Sequence, residues 1–148
     1  MNWKSEATEK LRQYDAMRKA ACNIPKEIQR LRVAATAIRG VSTDATPVKG
    51  SSRREEMLIN NLVHRQELQW TLEQTKCWLD VTERALSCLT QEEKLILHRL
   101  YISPEKGGLE RLCQELDMEK STVYRRRDRA LQRFAMALYG LPKTWQAS

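Results

Sequence analysis

The stretch from Leu109 to Phe134 (LERLCQELDMEKSTVYRRRDRALQRF) constrains the fold more than any other part of this chain. It contains two apolar series at helical spacing, formed by Leu109, Leu112, Cys113 and Leu116 and then by Val123, Ala130, Leu131 and Phe134. Asp117-Met118 separates them, and Asp tolerates the left-handed conformation that such a turn often demands. Glu119 or Ser121 can cap the second helix. A short helix, a tight turn and a second helix indicate a helix-turn-helix.

The first third of the chain predicts two further amphipathic helices. Ala7, Leu11, Tyr14 and Met17 form one apolar stripe, and Ile28, Leu31, Ala35 and Ile38 form another. Asn23-Ile24-Pro25 interrupts the pattern between them, and Pro fits the first turn of a new helix. We therefore expect a helical hairpin over residues 1–39.

The middle of the chain predicts a linker and then a long helix. Gly, Pro, Ser and Thr cluster in residues 40–52, which indicates a domain boundary or hinge. Residues 53–89 carry leucines seven or fourteen residues apart, but polar residues interrupt that seam, so the helix is expected to pack on the hairpin or to oligomerise. Trp70 and Trp78 are expected to pack in the core, with an interface role as the alternative.

A second local signal precedes the helix-turn-helix. Thr90-Gln91-Glu92-Glu93 has the spacing of a capping box and predicts a helix that starts at once. Gly and Pro number only 5 and 4, which favours helix throughout. The expected fold class is all-α, with a helix-turn-helix domain at 90–140 and a tail at 141–148.

Charge and spacing together predict that the second helix of the motif binds double-stranded DNA. The net charge is +7, with two basic ends around an acidic middle, which suits a polyanion. Tyr124 and Arg125 are the expected base readers, because the N-terminal half of such a helix enters the major groove. Asp128 could orient a neighbouring arginine. The full expected DNA-binding set is Lys120, Ser121, Thr122, Tyr124, Arg125, Arg126, Arg127, Asp128, Arg129 and Arg133, of which the last four arginines are assigned to phosphate or flanking contacts.

The sequence contains none of the patterns that indicate an enzyme. It lacks a phosphate-cradling glycine loop and a Ser/His/Asp set, and its four cysteines and two histidines have no zinc-ligand spacing, so we expect no cofactor and no metal. The cysteines are expected to be reduced thiols that fill the core of a cytoplasmic protein. No apolar run is long enough for a membrane span.

The segment from Leu89-Thr90-Gln91-Glu92-Glu93 to Ala130-Leu131 resembles region 4 of bacterial sigma factors. Most of the chain is similar to small phage and prophage transcriptional regulators of the ArpU/RinA type, through EKLRQYDAM, NIPKEIQRL, SRREEMLINNLVHRQEL, ALSCLTQEEKLIL and STVYRRRDRALQRFAMALYG. The resemblance implies control of phage late (packaging and lysis) operons in a bacterial host, together with host RNA polymerase. Two positions depart from the motif: Asp117 replaces the usual Gly, and Arg126 replaces an aliphatic residue. The aliphatic part of the Arg126 side chain is expected to pack against the protein while its guanidinium reaches phosphate.

Two other functions remain open from the sequence. One is a DNA-recognition subunit of a phage packaging machine, a class that also joins a helix-turn-helix to oligomerising helices. The other is an N-terminal protein-binding module to which DNA binding is secondary. Oligomeric state separates the regulator from the packaging subunit: a monomer or homodimer favours the regulator, and a ring of many subunits favours packaging.

Overall fold

The structure, a computed structural model, describes residues 2–40 and 50–140 of the chain. Most of these residues are helical, and they contain no strand, which confirms the all-α fold class. The helices are α1 (Trp3–Gly40), α2 (Gly50–Ser87), α3 (Gln91–Leu97), a π-helical turn (His98–Ile102), α4 (Gly108–Leu116) and α5 (Lys120–Tyr139). Within the described ranges, no helix is both long enough and apolar enough to cross a membrane.

The predicted break in the first third of the chain is absent. Instead of a hairpin within residues 1–39, one helix of 38 residues runs through Pro25. Proline in a helix interior removes a hydrogen bond and crowds the carbonyl four residues earlier, at a cost of about 3 kcal/mol. The interior face nevertheless continues in phase, because Ala21 and Ile24 are half-buried before Pro25, and Ile28 and Leu31 are buried after it. Packing of this unbroken stripe explains why the helix persists.

The chain divides into two compact units, each built from parts of several helices. The smaller unit comprises residues 19–77 and the larger unit comprises residues 1–18 and 78–148, of which the structure describes 2–18 and 78–140. The predicted linker 40–52 falls in the smaller unit. Gly40 ends α1 and Gly50 begins α2, whereas residues 41–49 lie outside the described residues, as does the predicted tail 141–148.

In the smaller unit, parts of α1 and α2 pack against each other. Their buried residues include Ile28, Leu31 and Ala35 of α1 and Leu72 of α2. The polar residues that interrupt the leucine seam have partners: the Asn61 side chain donates to the Leu31 carbonyl at 2.8 Å, and Arg65 donates to Asn61 at 2.7 Å. Asn61 therefore joins the two helices, and Arg65 of the same helix holds the Asn61 side chain.

The larger unit has two clusters of buried side chains. One surrounds Phe134 of α5 and includes Leu11, Leu97 and Leu131. The other joins three helices through Ile96 of α3, Leu112 of α4 and Val123 of α5, all fully buried. Val123 is thus the core anchor that the sequence predicts, and its position sets the rotation of α5.

Candidate nucleic-acid interface

The turn between α4 and α5 has the left-handed geometry that the sequence predicts. Asp117 has φ 52° and ψ 52°, in the αL region. The Met118 N–H donates to the Cys113 carbonyl at 3.0 Å, and the Asp117 N–H donates to the Gln114 carbonyl at 3.3 Å. This pair of bonds is a Schellman motif, which satisfies carbonyls at the end of α4 and reverses the chain within three residues.

Helix α5 begins immediately after this turn. Glu119 is the N-cap residue, with an extended backbone (φ −73°, ψ 156°), and its carbonyl accepts from the amides of Thr122 at 3.0 Å and Val123 at 3.1 Å. The Glu119 side chain makes no capping bond. Of the two predicted caps, Glu119 is the correct position, and Ser121 lies inside the first turn.

The capping box at the start of α3 is present. The Thr90 hydroxyl accepts from the Glu93 amide at 3.2 Å, and Glu93 Oε1 accepts from the Thr90 amide at 3.0 Å. The Glu93 side chain is only 11% exposed, since it lies between α3 and α5. Glu93 therefore both caps α3 and faces the helix that carries all ten predicted site residues.

The solvent face of α5 carries cationic and hydroxyl side chains. Ser121, Arg125, Arg129 and Gln132 are exposed and Thr122 is half-buried, at the three- and four-residue spacing of one helical face. Arg125 and Arg129 form no ion pair or hydrogen bond with the part of the chain that the structure describes. Lys120, also exposed, is equally without such a partner. These cations are available to an external anion.

The other three arginines of the predicted set contact carboxylates or an aromatic ring. Arg126 donates to both oxygens of Glu92, at 2.7 and 2.8 Å. Arg133 donates to Glu93 Oε1 at 2.8 Å. The expectation that the Arg126 head reaches phosphate therefore differs from the structure, in which Glu92 holds the guanidinium. Such charge-assisted hydrogen bonds are stronger than neutral ones, because both partners are charged.

Tyr124, Arg127 and Asp128 form a connected group on one flank of α5. The Arg127 guanidinium lies 4.7 Å from the centroid of the Tyr124 ring, and it donates to Asp128 at 2.9 and 3.1 Å. Asp128 therefore binds a neighbouring arginine, as expected, and its role toward DNA stays a prediction. Tyr124 is only partly exposed and sits at the edge of the solvent face, so Arg125 and Arg129 are presented more openly.

Asp128 also binds Lys4, which the sequence did not indicate. The Lys4 ammonium lies 3.0 Å from Asp128 Oδ1 and joins the start of α1 to the middle of α5. Burial raises the pKa of Asp128, but hydrogen bonds from Lys4 and Arg127 outweigh it and hold the pKa below its ordinary value. No local pattern connects residues 4 and 128, so only the tertiary fold identifies this partner.

A groove of about 180 Å³ lies between the start of α3 and α5. Its walls include both carboxylate–arginine pairs, and Arg129 stands at its edge without either carboxylate as a partner. The lining residues are Thr90, Glu92, Glu93, Ile96, Arg126, Arg129 and Arg133. The glutamates neutralise one flank of α5, so the cationic surface is narrower than the sequence suggests.

The remaining residues with reactive side chains differ partly from expectation. The four cysteines are free thiols, but Cys22, Cys77 and Cys88 are exposed rather than core residues. Cys22 and Cys77 lie on the outward faces of α1 and α2, and Cys88 lies in the turn after α2. His64 and His98 are exposed. Among the described residues, no group of three His, Cys, Asp or Glu side chains could hold a metal ion.

Comparison of the chain with protein-family models, with curated proteins and with solved structures gave no match. The described residues form an all-α protein in which a short helix and a tight turn lead into an arginine-rich helix.

Proposed function

We propose that the protein is a sequence-specific, double-stranded DNA-binding regulator of transcription that acts through α5. The observation that carries the proposal is the exposed face of α5, where Arg125 and Arg129 stand one turn apart without a partner in the described residues. The order of α4, a three-residue turn and α5 is that of a helix-turn-helix, whose second helix presents its N-terminal half to the major groove.

Each exposed residue of α5 has a role that its chemistry supports. Arg125 can donate two hydrogen bonds to guanine, a contact that discriminates against the wrong base by about 1–3 kcal/mol. Ser121 and Thr122, beside the first turn, suit phosphate oxygens. Arg129 and Lys120 suit neighbouring phosphates. Tyr124 and Asp128 contact DNA only at the flank. Arg126, Arg127 and Arg133 stay with their carboxylate partners, and the bonds of Arg126 and Arg133 to α3 hold α5 in place.

The resemblance to phage regulators suggests phage late operons as targets and host RNA polymerase as a second partner. The placement of α3 directly before the α4–α5 pair supports this resemblance, because sigma region 4 has a helix there. The alternative, a DNA-recognition subunit of a packaging machine, requires a ring of many copies. Mass measurement of the protein in solution separates the two, since a monomer or dimer supports the regulator.

The test is selection of bound duplexes from a random DNA pool at near-physiological salt, where charge alone contributes less to binding. We expect one enriched motif. Arg125→Ala should flatten the preference at one or two positions of that motif. Arg32→Ala removes the same charge from an exposed position of α1 and should leave the motif unchanged.

Selection without an enriched motif would contradict sequence-specific recognition by α5. An enriched motif that survives Arg125→Ala unchanged would place base reading elsewhere in the chain.

A further inference from the structure

In the smaller unit, the face of α2 opposite the buried face carries four exposed apolar side chains, together with the exposed Gln66. Ile59, Leu62, Val63 and Trp70 are exposed there, at helical spacings that put them on one side of the helix. Trp70 is 63% exposed, so the expectation that it packs in the core is wrong. A large aromatic side chain left in water is a common feature of binding surfaces.

The flanks of this apolar stripe are acidic. Glu55, Glu56, Glu67 and Glu73 are exposed, and each lies three or four residues from Ile59, Val63 or Trp70, which places them beside the stripe. The basic residues of the same stretch are directed elsewhere: by helical spacing Lys76 lies off the stripe, and Arg65 is half-buried and bonds Asn61. We call the stripe and its four glutamates the acidic stripe.

We propose that the acidic stripe binds a partner protein, and that the partner presents an apolar helix or ridge flanked by Lys and Arg. Apolar residues in a row explain affinity, and the glutamates on both flanks select the complementary charge. A second copy of the acidic stripe is an unfavourable partner, because glutamates from both copies would repel each other across the interface. An anionic membrane surface is unsuitable for the same reason.

This proposal does not depend on DNA binding. The acidic stripe lies in residues 55–73 of the smaller unit, and the exposed face of α5 lies in the larger unit. Failure of either function therefore shows in a different measurement, since peptide binding tests the stripe and selection of DNA tests α5.

The test uses the full chain and two synthetic amphipathic helical peptides that share one leucine stripe but carry either lysine or glutamate flanks. We expect the lysine-flanked peptide to bind at least about tenfold more tightly, with affinity that falls as salt rises. Trp70→Ser should weaken this binding by about tenfold or more. The matched control is Val33→Ser, which alters an apolar residue of similar exposure on α1 and should leave affinity unchanged.

A charge-reversed variant keeps the test independent of folding. Glu67→Lys/Glu73→Lys should weaken binding of the lysine-flanked peptide and strengthen that of the glutamate-flanked peptide, while helical circular dichroism stays the same. Equal affinity for both peptides, or no binding of either, would overturn the proposal. So would self-association that Trp70→Ser abolishes, since the occupant would then be a second copy.

Discussion

Arg133 distinguishes a structural role from a DNA-binding role. The sequence assigns it to phosphate, whereas in the structure it donates to Glu93 at 2.8 Å. A hydrogen bond to a charged group contributes about 1.5–3 kcal/mol, and because Arg133 is half-exposed we reduce this to about 1–1.5 kcal/mol. Arg133→Ala should therefore lower the free energy of unfolding by about 1–1.5 kcal/mol.

Glu93 has a second partner, which makes its own loss larger. Glu93→Ala removes the bond to Arg133 and also the bond to the Thr90 amide, a cap worth about 1 kcal/mol. The expected total is about 2–2.5 kcal/mol, again as a lower free energy of unfolding. Each single variant loses the bond between Glu93 and Arg133, and the double variant Glu93→Ala/Arg133→Ala loses the same bond only once. A double-mutant cycle measured by urea unfolding should therefore give a coupling free energy of about 1 kcal/mol. A coupling near zero would mean that this contact does not hold α5 to α3.

The salt dependence of DNA affinity separates the structural role of Arg133 from a phosphate-binding role. Arg129→Ala, one turn away on the open face, should leave stability within about 0.5 kcal/mol and reduce the slope of log affinity against log salt by about 1. Arg133→Ala should leave that slope almost unchanged. If Arg133→Ala instead lowers the slope and leaves stability intact, the phosphate contact predicted from the sequence is correct and the role argued here is wrong.

Two further predictions concern α1. Pro25→Ala should raise the free energy of unfolding by about 1–2 kcal/mol, because the gain from a restored hydrogen bond inside the helix exceeds the cost of a more flexible unfolded chain. Lys26→Ala, at the next exposed position, is the control in the same urea titration. An unchanged urea midpoint for Pro25→Ala would contradict this prediction. Lys4→Ala should raise the pKa of Asp128 toward its ordinary value, as measured by NMR titration of that carboxyl group. Because the folded pKa is the lower one, the stability from this contact is present at neutral pH and disappears as pH falls through the folded pKa; an unmoved pKa would show that Arg127 alone sets it.

Features caused by a few adjacent residues could be predicted from the sequence. The capping box at Thr90 and the left-handed residue at Asp117 depend on bonds within five residues, and both are present. The continuity of α1 through Pro25 could not be predicted in this way. The local cost of proline is clear from the sequence, but the packing that offsets it comes from α2, more than 30 residues away.

At the candidate site too, the sequence predicts where the arginines of α5 lie but not which partners they contact. Their positions relative to the core are readable from the sequence: Arg126 and Arg133 each follow a buried residue by three, at Val123 and Ala130, which places them at the edge of the buried face. Arg125 and Arg129 lie farther round, toward solvent. An edge arginine faces whatever the neighbouring helix offers, and here that helix begins with Glu92 and Glu93 because an acidic first turn stabilises α3. The same glutamates that start α3 therefore neutralise one flank of α5, and the exposed cations without an intramolecular partner among the described residues are chiefly Lys120, Arg125 and Arg129.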